Sequence, residues 1–205
     1  QMCIRDRPET LFDDYAERGS AARDQDMTID KSMFLGSDLK VDAFFTNRYE
    51  RMNDAQIKIF KKAYTSENKF LLENQLSGKE LVRWKYQRYL KDYLRCVKSV
   101  DDCVGELWNW LDERDMLDNT IFVYSSDQGF YLGEHGWFDK RFMYDESYRT
   151  PLVMSWPKVI SPGSVNSNLV SNLDFAQTFL DAAGIEAHPR TVSYTHLTLP
   201  TIRTV

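Results

Sequence analysis

The sequence predicts an α/β layered domain with a largely parallel sheet. Three observations carry that reading: long stretches with apolar residues at three- and four-residue steps, two short runs rich in β-branched and aromatic residues between them, and turn signals at the joins. A length of 205 residues allows one large domain or two small ones. The charge is -5, from 26 basic and 31 acidic side chains, and no dense Lys/Arg run is present. A cationic face able to neutralise phosphates is therefore not visible, which argues against nucleic acid as a partner. No apolar run approaches the ~20 residues that a spanning helix needs, so no transmembrane segment is expected.

From 8 to 42 the text is polar and irregular, with charge clusters such as Asp13-Asp14 and Arg23-Asp24, and reads as a surface excursion holding one short helix. Asn53 then marks a helix start. Gln56 stands three residues later as a capping-box partner, and Met52 and Ile57 take the staple positions. Ile57, Phe60 and Tyr64 give that helix, 54–64, one buried stripe.

A longer helix begins near Lys79 or Glu80. Tyr89, Tyr93, Cys96, Val97, Val100, Val104, Leu107, Trp108 and Leu111 form a stripe expected to pack in the core. Asp118-Asn119 marks the turn after it, and 120–124 (TIFVY) is short enough to be a buried strand. The pattern repeats with a second strand at 151–156 and a turn at Pro162-Gly163. Ser171 or Asn172 then caps a helix carrying Leu173, Ala176, Phe179, Leu180 and Ala183, which Gly184 is placed to end.

Cysteines and termini carry less. Cys96 and Cys103 lie seven apart on one helix, roughly 10 Å at Cα against a disulfide limit of about 7 Å, and cannot pair. The ends 1–7 (QMCIRDR) and 192–205 (VSYTHLTLPTIRTV) join their neighbours without turn or cap signals and read as foreign, adapter-derived sequence. The domain under consideration is therefore 8–191, an incomplete one.

Chemistry concentrates in 125–149. Asp127 and Gln128 sit just past a strand end, where an open α/β sheet presents side chains to a ligand crevice. A carboxylate beside an amide carbonyl offers hard oxygen donors suited to Ca²⁺ or Mg²⁺, although Asp beside Gly also serves as a plain turn residue. Gly129, Gly133 and Gly136 make the loop permissive of positive φ. Glu134 and His135 are acid/base candidates or hydrogen-bonding surface residues. Lys140 and Arg141 bring two cations to the same mouth, fit for a tetrahedral anion or for solvated pairing with Asp139, Asp145 and Glu146.

The strings Ser126-Asp127-Gln128-Gly129, Leu132-Gly133-Glu134-His135-Gly136, Asp139-Lys140-Arg141, Tyr144-Asp145-Glu146-Ser147 and Arg149-Thr150-Pro151-Leu152 resemble the late metal-binding block of formylglycine-dependent sulfatases. The stretches 81–89 and 93–102 are similar to the long helix that precedes that block in carbohydrate sulfatases, and the stretch 12–88, with Asp139-Lys140-Arg141, most resembles sulfatases acting on N-acetylglucosamine-6-sulfate or related sugars. Residues 172–176 and 183–185 resemble the helix that follows it.

The resemblance implies an alkaline-phosphatase-like fold and sulfate-ester hydrolysis of sulfated sugars, such as N-acetylglucosamine-6-sulfate in glycosaminoglycans or mucins. It implies Asp127 and Gln128 as ligands of a divalent metal, usually calcium, and Lys140, thirteen residues after Asp127, as a sulfate-binding cation. His135 is a catalytic candidate, in a motif with Glu134 that varies among sulfatases, and Arg141 orients neighbouring carboxylates. It also implies a periplasmic or secreted location and a formylglycine nucleophile upstream. Cys3, Cys96 and Cys103 lack the formylglycine context, so the chain by itself is expected to be inactive. A phosphodiesterase or phosphonate hydrolase of the alkaline phosphatase superfamily, or a non-enzymatic binding relative, would use the same corner.

Overall fold

The protein is represented by a computed structural model that describes residues 7–41 and 49–186. The expectation for the foreign ends falls outside these residues, except at Arg7. In chain order the helices are α1 (Ser20–Asp24), α2 (Asp54–Asn74), α3 (Gly78–Asp112), α4 (Asp145–Tyr148) and α5 (Phe175–Ala182). The strands are β1 (Phe122–Ser125), β2 (Tyr131–Leu132), β3 (Phe138–Asp139) and β4 (Leu152–Ser155). Two compact units divide the chain: Gln1–Leu107 with Gln128–Arg149, and Trp108–Asp127 with Thr150–Val205.

The first unit is built on a helical hairpin. The capping box forms as its residues dictate: Gln56 N–H donates to Asn53 Oδ1 and Asn53 N–H to Gln56 Oε1, both at 2.9 Å. Helix α2 then runs to Asn74, ten residues beyond the expected 64. The buried stripe continues through Asn68 and Leu71, but a polar residue at the first of these positions hides the periodicity. Asn68 is buried because its Nδ2 donates to the Lys40 carbonyl and its Oδ1 accepts from Arg88. Gln75 ends the helix in the left-handed region at φ 48°. Helix α3 returns antiparallel, so that Glu67 meets Arg88 and Lys91 while the earlier Tyr64 meets the later Asp92.

The buried face of α3 matches the stripe expected from sequence only in part: Leu111 is buried and Tyr89 packs against the core, but most of the stripe is not buried. Val82, Lys85, Tyr86, Arg88 and Leu90 are buried, whereas Val97, Val100, Leu107 and Trp108 are exposed. Two cations interrupt the apolar run that does most of the packing, which is why hydrophobic periodicity alone does not reveal it. Those cations satisfy the backbone of the irregular segment before α2. Lys85 Nζ donates to the carbonyls of Asp30 (2.7 Å) and Met33 (3.0 Å), and Arg88 Nε to that of Leu39 (3.2 Å). Leu11, Ile29, Met33, Leu39 and Val41 complete the core around Leu71, Val82, Tyr86 and Leu90.

A second cluster in this unit gathers Ala22, Met27, Tyr131 and Trp137, with Tyr15, Phe142 and Tyr144 against it. Here β2 and β3 pair antiparallel, with Tyr131 opposite Asp139. The segment at 27–29 extends the pairing: Phe138 N–H donates to the Met27 carbonyl and Ile29 N–H to that of Gly136, both at 2.9 Å.

In the second unit β1 and β4 pair antiparallel, Phe122 opposite Ser155 and Ser125 opposite Leu152. The α/β class stands, but among the described residues the strand pairs are antiparallel, not parallel. A parallel pair needs a crossover that carries the chain back to the same end of the sheet, commonly a helix of three turns or more. Between β1 and β4 the longest element is the four-residue α4. Nor are the strands buried throughout: Val153 is 64% exposed, and Leu152 and Tyr124 are also exposed. Ser171 and Asp174 form a reciprocal cap before α5, and Gly184, at φ 67°, follows its end as expected.

Candidate functional site

Asp127 lies in the second unit, two residues past the end of β1, and is exposed. The loop around it is held by backbone contacts rather than by its carboxylate. Asn172 Nδ2 donates to the carbonyls of Ser126 (3.1 Å) and Asp127 (3.4 Å), and Ser125 Oγ donates to that of Pro151 (2.9 Å). Ser126 Oγ donates to Asp127 Oδ1 at 3.3 Å. Among the described residues no other group bonds that carboxylate.

Gln128 opens the next segment of the first unit. Its successor, Gly129, donates its N–H to the Ser147 carbonyl at 2.7 Å. A Cβ at Gly129 would stand 2.0 Å from the Glu146 carbonyl oxygen, so the close approach requires glycine. Lys140 follows β3 directly and is exposed. Its own carbonyl accepts from Ser147 Oγ at 2.6 Å. Ser147 therefore joins the segment after Gln128 to the segment of Lys140, one through its carbonyl and one through its hydroxyl. The Lys140 ammonium has no hydrogen-bond or ion-pair partner among the described residues. Arg141 is engaged, with Nε 3.0 Å from Asp139 and Nη1 3.2 Å from Asp26.

His135 is placed differently. It sits in the turn between β2 and β3 at φ 56°, its side chain 14% exposed. The ring packs against Tyr131, Trp137 and Tyr144, with centroids 5.2–6.4 Å apart. Arg18 Nη2 lies 2.9 Å from Nδ1, Asp13 Oδ2 3.5 Å from the same nitrogen, and Glu146 Oε1 3.9 Å from Nε2. Asp13 is a well-supported carboxylate. Burial works to raise its pKa, but the Tyr15 N–H, Arg18 and His135 more than offset it and hold the group below the usual 3.8. Burial, reinforced by the nearby Asp13 charge, pushes the Tyr15 phenol up to about 12.

Asp127 carries a carboxylate and Gln128 an amide carbonyl. These are the right chemistry for a hard cation, but Ca²⁺ takes six to eight oxygens. Among the described residues no group of three or more His, Cys, Asp or Glu side chains gathers to complete such a shell. Cys96 and Cys103 are free and exposed on α3, in keeping with the spacing argument.

Sequence reasoning gave Arg18 no place at the site; it put Tyr144, Glu146 and Ser147 in the resembling block, with Glu146 as a partner for the cations, and Asn172 in a cap and in the helix after it, but assigned none of them the contacts described above. Arg18 lies 117 positions from the histidine it meets, in a segment with no periodic pattern, and no local signal connects them. The Asp13 to Arg18 pairing at 2.8 Å is a short-range contact that charge spacing could have offered.

Comparison with known proteins gives the chain its relatives. Residues 133–199 match the family described as N-sulphoglucosamine sulphohydrolase, C-terminal. The chain is 48% identical over 191 residues to an N-acetylglucosamine-6-O-sulfatase of Bacteroides thetaiotaomicron, covering 87% of this chain and 34% of that protein. Human arylsulfatase K is 39% identical over 107 residues, covering 52% of this chain and 20% of that one. Among solved structures, BT4656 in complex with its substrate D-glucosamine-2-N,6-O-disulfate matches with a TM-score of 0.86 at 46% identity, over 92% of this chain and 40% of that one. The chain thus spans about a third of the length of the Bacteroides relative. With 48% identity over 87% of its residues and a fold shared over nearly its whole length, the chain belongs to the sulfatase family.

Proposed function

We propose that residues 8–191 supply the late part of a sulfatase catalytic domain that hydrolyses sulfate esters of sugars, N-acetylglucosamine-6-sulfate in glycosaminoglycans or mucins being the first candidate. The observation that carries this reading is the 48% identity to an N-acetylglucosamine-6-O-sulfatase over 87% of the chain. The sugar-sulfate substrate named for the structural neighbour supports the same class.

In this reading Asp127 and Gln128 hold a divalent metal, Ca²⁺ by preference, and Lys140 receives a sulfate oxygen. A bound ion of this kind supplies Lewis-acid polarisation. The chain's own contribution is placement and charge. An ammonium that no described neighbour neutralises is available to an oxyanion, and cations aimed at developing negative charge account for a large part of such catalysis. Ser147 fixes the backbone on both sides of that corner. His135, packed among aromatic rings, acts through the shape of its turn rather than as a freely exposed base. The formylglycine nucleophile and the other metal ligands belong to sequence outside this chain, so the 205-residue chain alone turns over no sulfate ester. An exported protein fits the extracellular sulfatase among its relatives, the SULF-1 homolog of Drosophila melanogaster.

The test is a chimera in which this chain replaces the matching third of the Bacteroides enzyme, assayed on N-acetylglucosamine-6-sulfate. Turnover is expected, and Lys140→Ala is expected to lower kcat by about 10²–10³-fold. A Lys140→Ala chimera as active as its parent would overturn the assignment.

A further inference from the structure

The contact between Arg18 and His135 fixes more than a distance. A guanidinium carries only donors. The Nδ1 that Arg18 Nη2 meets at 2.9 Å must therefore present a lone pair, and the ring proton resides on Nε2, the side facing Glu146. Asp13 Oδ2, 3.5 Å from Nδ1, would favour the opposite arrangement, but it already accepts from Arg18 Nε at 2.9 Å and pairs with Nη2 at 2.8 Å. Arg18 Nη1 donates to the Tyr144 hydroxyl at 3.2 Å, which ties the guanidinium to the segment after β3 as well. The backbone of the same turn is clamped from the N-terminal segment. His135 N–H donates to Thr10 Oγ1, and the Tyr15 hydroxyl donates to the His135 carbonyl. The remaining groups around the ring are the phenols of Tyr131 and Tyr144 and the indole of Trp137.

We propose that Arg18 is a positioning residue: it locks His135 as the neutral Nε2–H tautomer and so fixes the turn from which β3 and Lys140 depart. The link to Lys140 rests on the sulfate-binding reading above, whereas the tautomer does not. Removing Arg18 would free Asp13 Oδ2, the next acceptor in reach of Nδ1, and the proton should move to that nitrogen.

The experiment is ¹⁵N NMR of the ring nitrogens in the ¹⁵N-histidine-labelled 205-residue chain at neutral pH, with the His135 signals identified by their loss in His135→Gln. The parent should show Nδ1 bare and Nε2 protonated. Asp13→Asn should keep that pattern. Arg18→Ala should invert it, and Arg18→Lys, which retains a donor, should restore it. Backbone and Lys140 Nζ shifts should move in Arg18→Ala and return in Arg18→Lys. A parent protonated at Nδ1, or a pattern indifferent to Arg18→Ala, would overturn the proposal. If Arg18→Ala fails to fold, the parent and Asp13→Asn patterns decide, since a bare Nδ1 without the Asp13 carboxylate is what the lock requires. Titration of the parent with inorganic sulfate, read at Lys140, separately tests the sulfate reading; its failure leaves the tautomer result standing.

Discussion

Replacing Arg88 with alanine removes the side chain that joins three parts of the first unit. The guanidinium is 1% exposed, and Nε donates to the Leu39 carbonyl, Nη1 to Glu67 Oε2 (2.6 Å) and Nη2 to Asn68 Oδ1 (3.1 Å). It also lies 4.0 Å from the centre of the Tyr64 ring. Alanine leaves the Asn68 and Leu39 acceptors inside without donors. Glu67 suffers less, because Lys91 remains 3.1 Å away and its side chain is 30% exposed. Breaking a buried pair from one side typically costs about 3–5 kcal/mol, and that is the loss expected in urea unfolding followed by far-UV circular dichroism. Glu67→Gln should cost only about 1 kcal/mol, as a partly exposed pair does. The pH dependence has a definite sign. Burial raises the Glu67 pKa, but Arg88 and Lys91 outweigh it and hold the group below its ordinary 4.5. Its contribution is thus present above that value and is lost as pH falls through the lower, folded one. An Arg88→Ala protein within about 1 kcal/mol of the parent would refute the account of how the segment before α2 is held.

Gly129→Ala should destabilise by about 1–3 kcal/mol, the range for forced overpacking, because the new Cβ meets backbone oxygen at 2.0 Å; chemical denaturation reads it. Ser147→Ala should cost about 1 kcal/mol and shift the Lys140 amide in NMR spectra, because it removes one hydrogen bond and leaves the Ser147 carbonyl in place. Spectrophotometric titration of the native chain should lag behind the unfolded one. Burial first of all raises Tyr15 and Tyr131 to about 12 and Tyr89 further, so these phenols stay protonated as pH passes 10. Their contribution holds below the unfolded value and disappears as pH climbs through the folded one. Superposable native and unfolded titrations would contradict this burial.

The capping box at Asn53 and the Gly184 stop were legible because their signals are local: a few residues, one backbone geometry. The reach of α2 and most of the packing face of α3 were not. Asn68, Lys85 and Arg88 occupy core positions as polar residues, and what makes them affordable there is a set of carbonyls from 30–40 that no helical pattern can announce. For the same reason the segment 8–41 read as a surface excursion, when Ile29, Leu39 and Val41 are wholly buried in it. At the site, the resemblance identified which residues to watch, and the adjacency of Asp127 and Gln128 to a strand end was readable from pattern. The contacts of Ser147 and Arg18 depend on pairings across 7, 18 and 117 positions, which no local pattern announces.

The two proposed oxygen donors are neighbours in sequence, yet their backbones are anchored by separate means. Asp127 is steadied by Asn172, whose own position follows from the Ser171–Asp174 cap at the start of the α5 segment. Past Gln128, Gly129 is steadied by Ser147 on α4, which is the same residue that fixes the Lys140 carbonyl. A small helix of four residues thus sets both the exit of the donor pair and the start of the cation segment. In the proposed reading Lys140 meets an anion, and an ammonium without an ion-pair partner keeps its whole charge for that. Fixing the residue through its carbonyl leaves that charge untouched. Lys140 shows the result: a held backbone below an ammonium with no partner among the described residues, beside an Arg141 whose guanidinium is committed to Asp26 and Asp139.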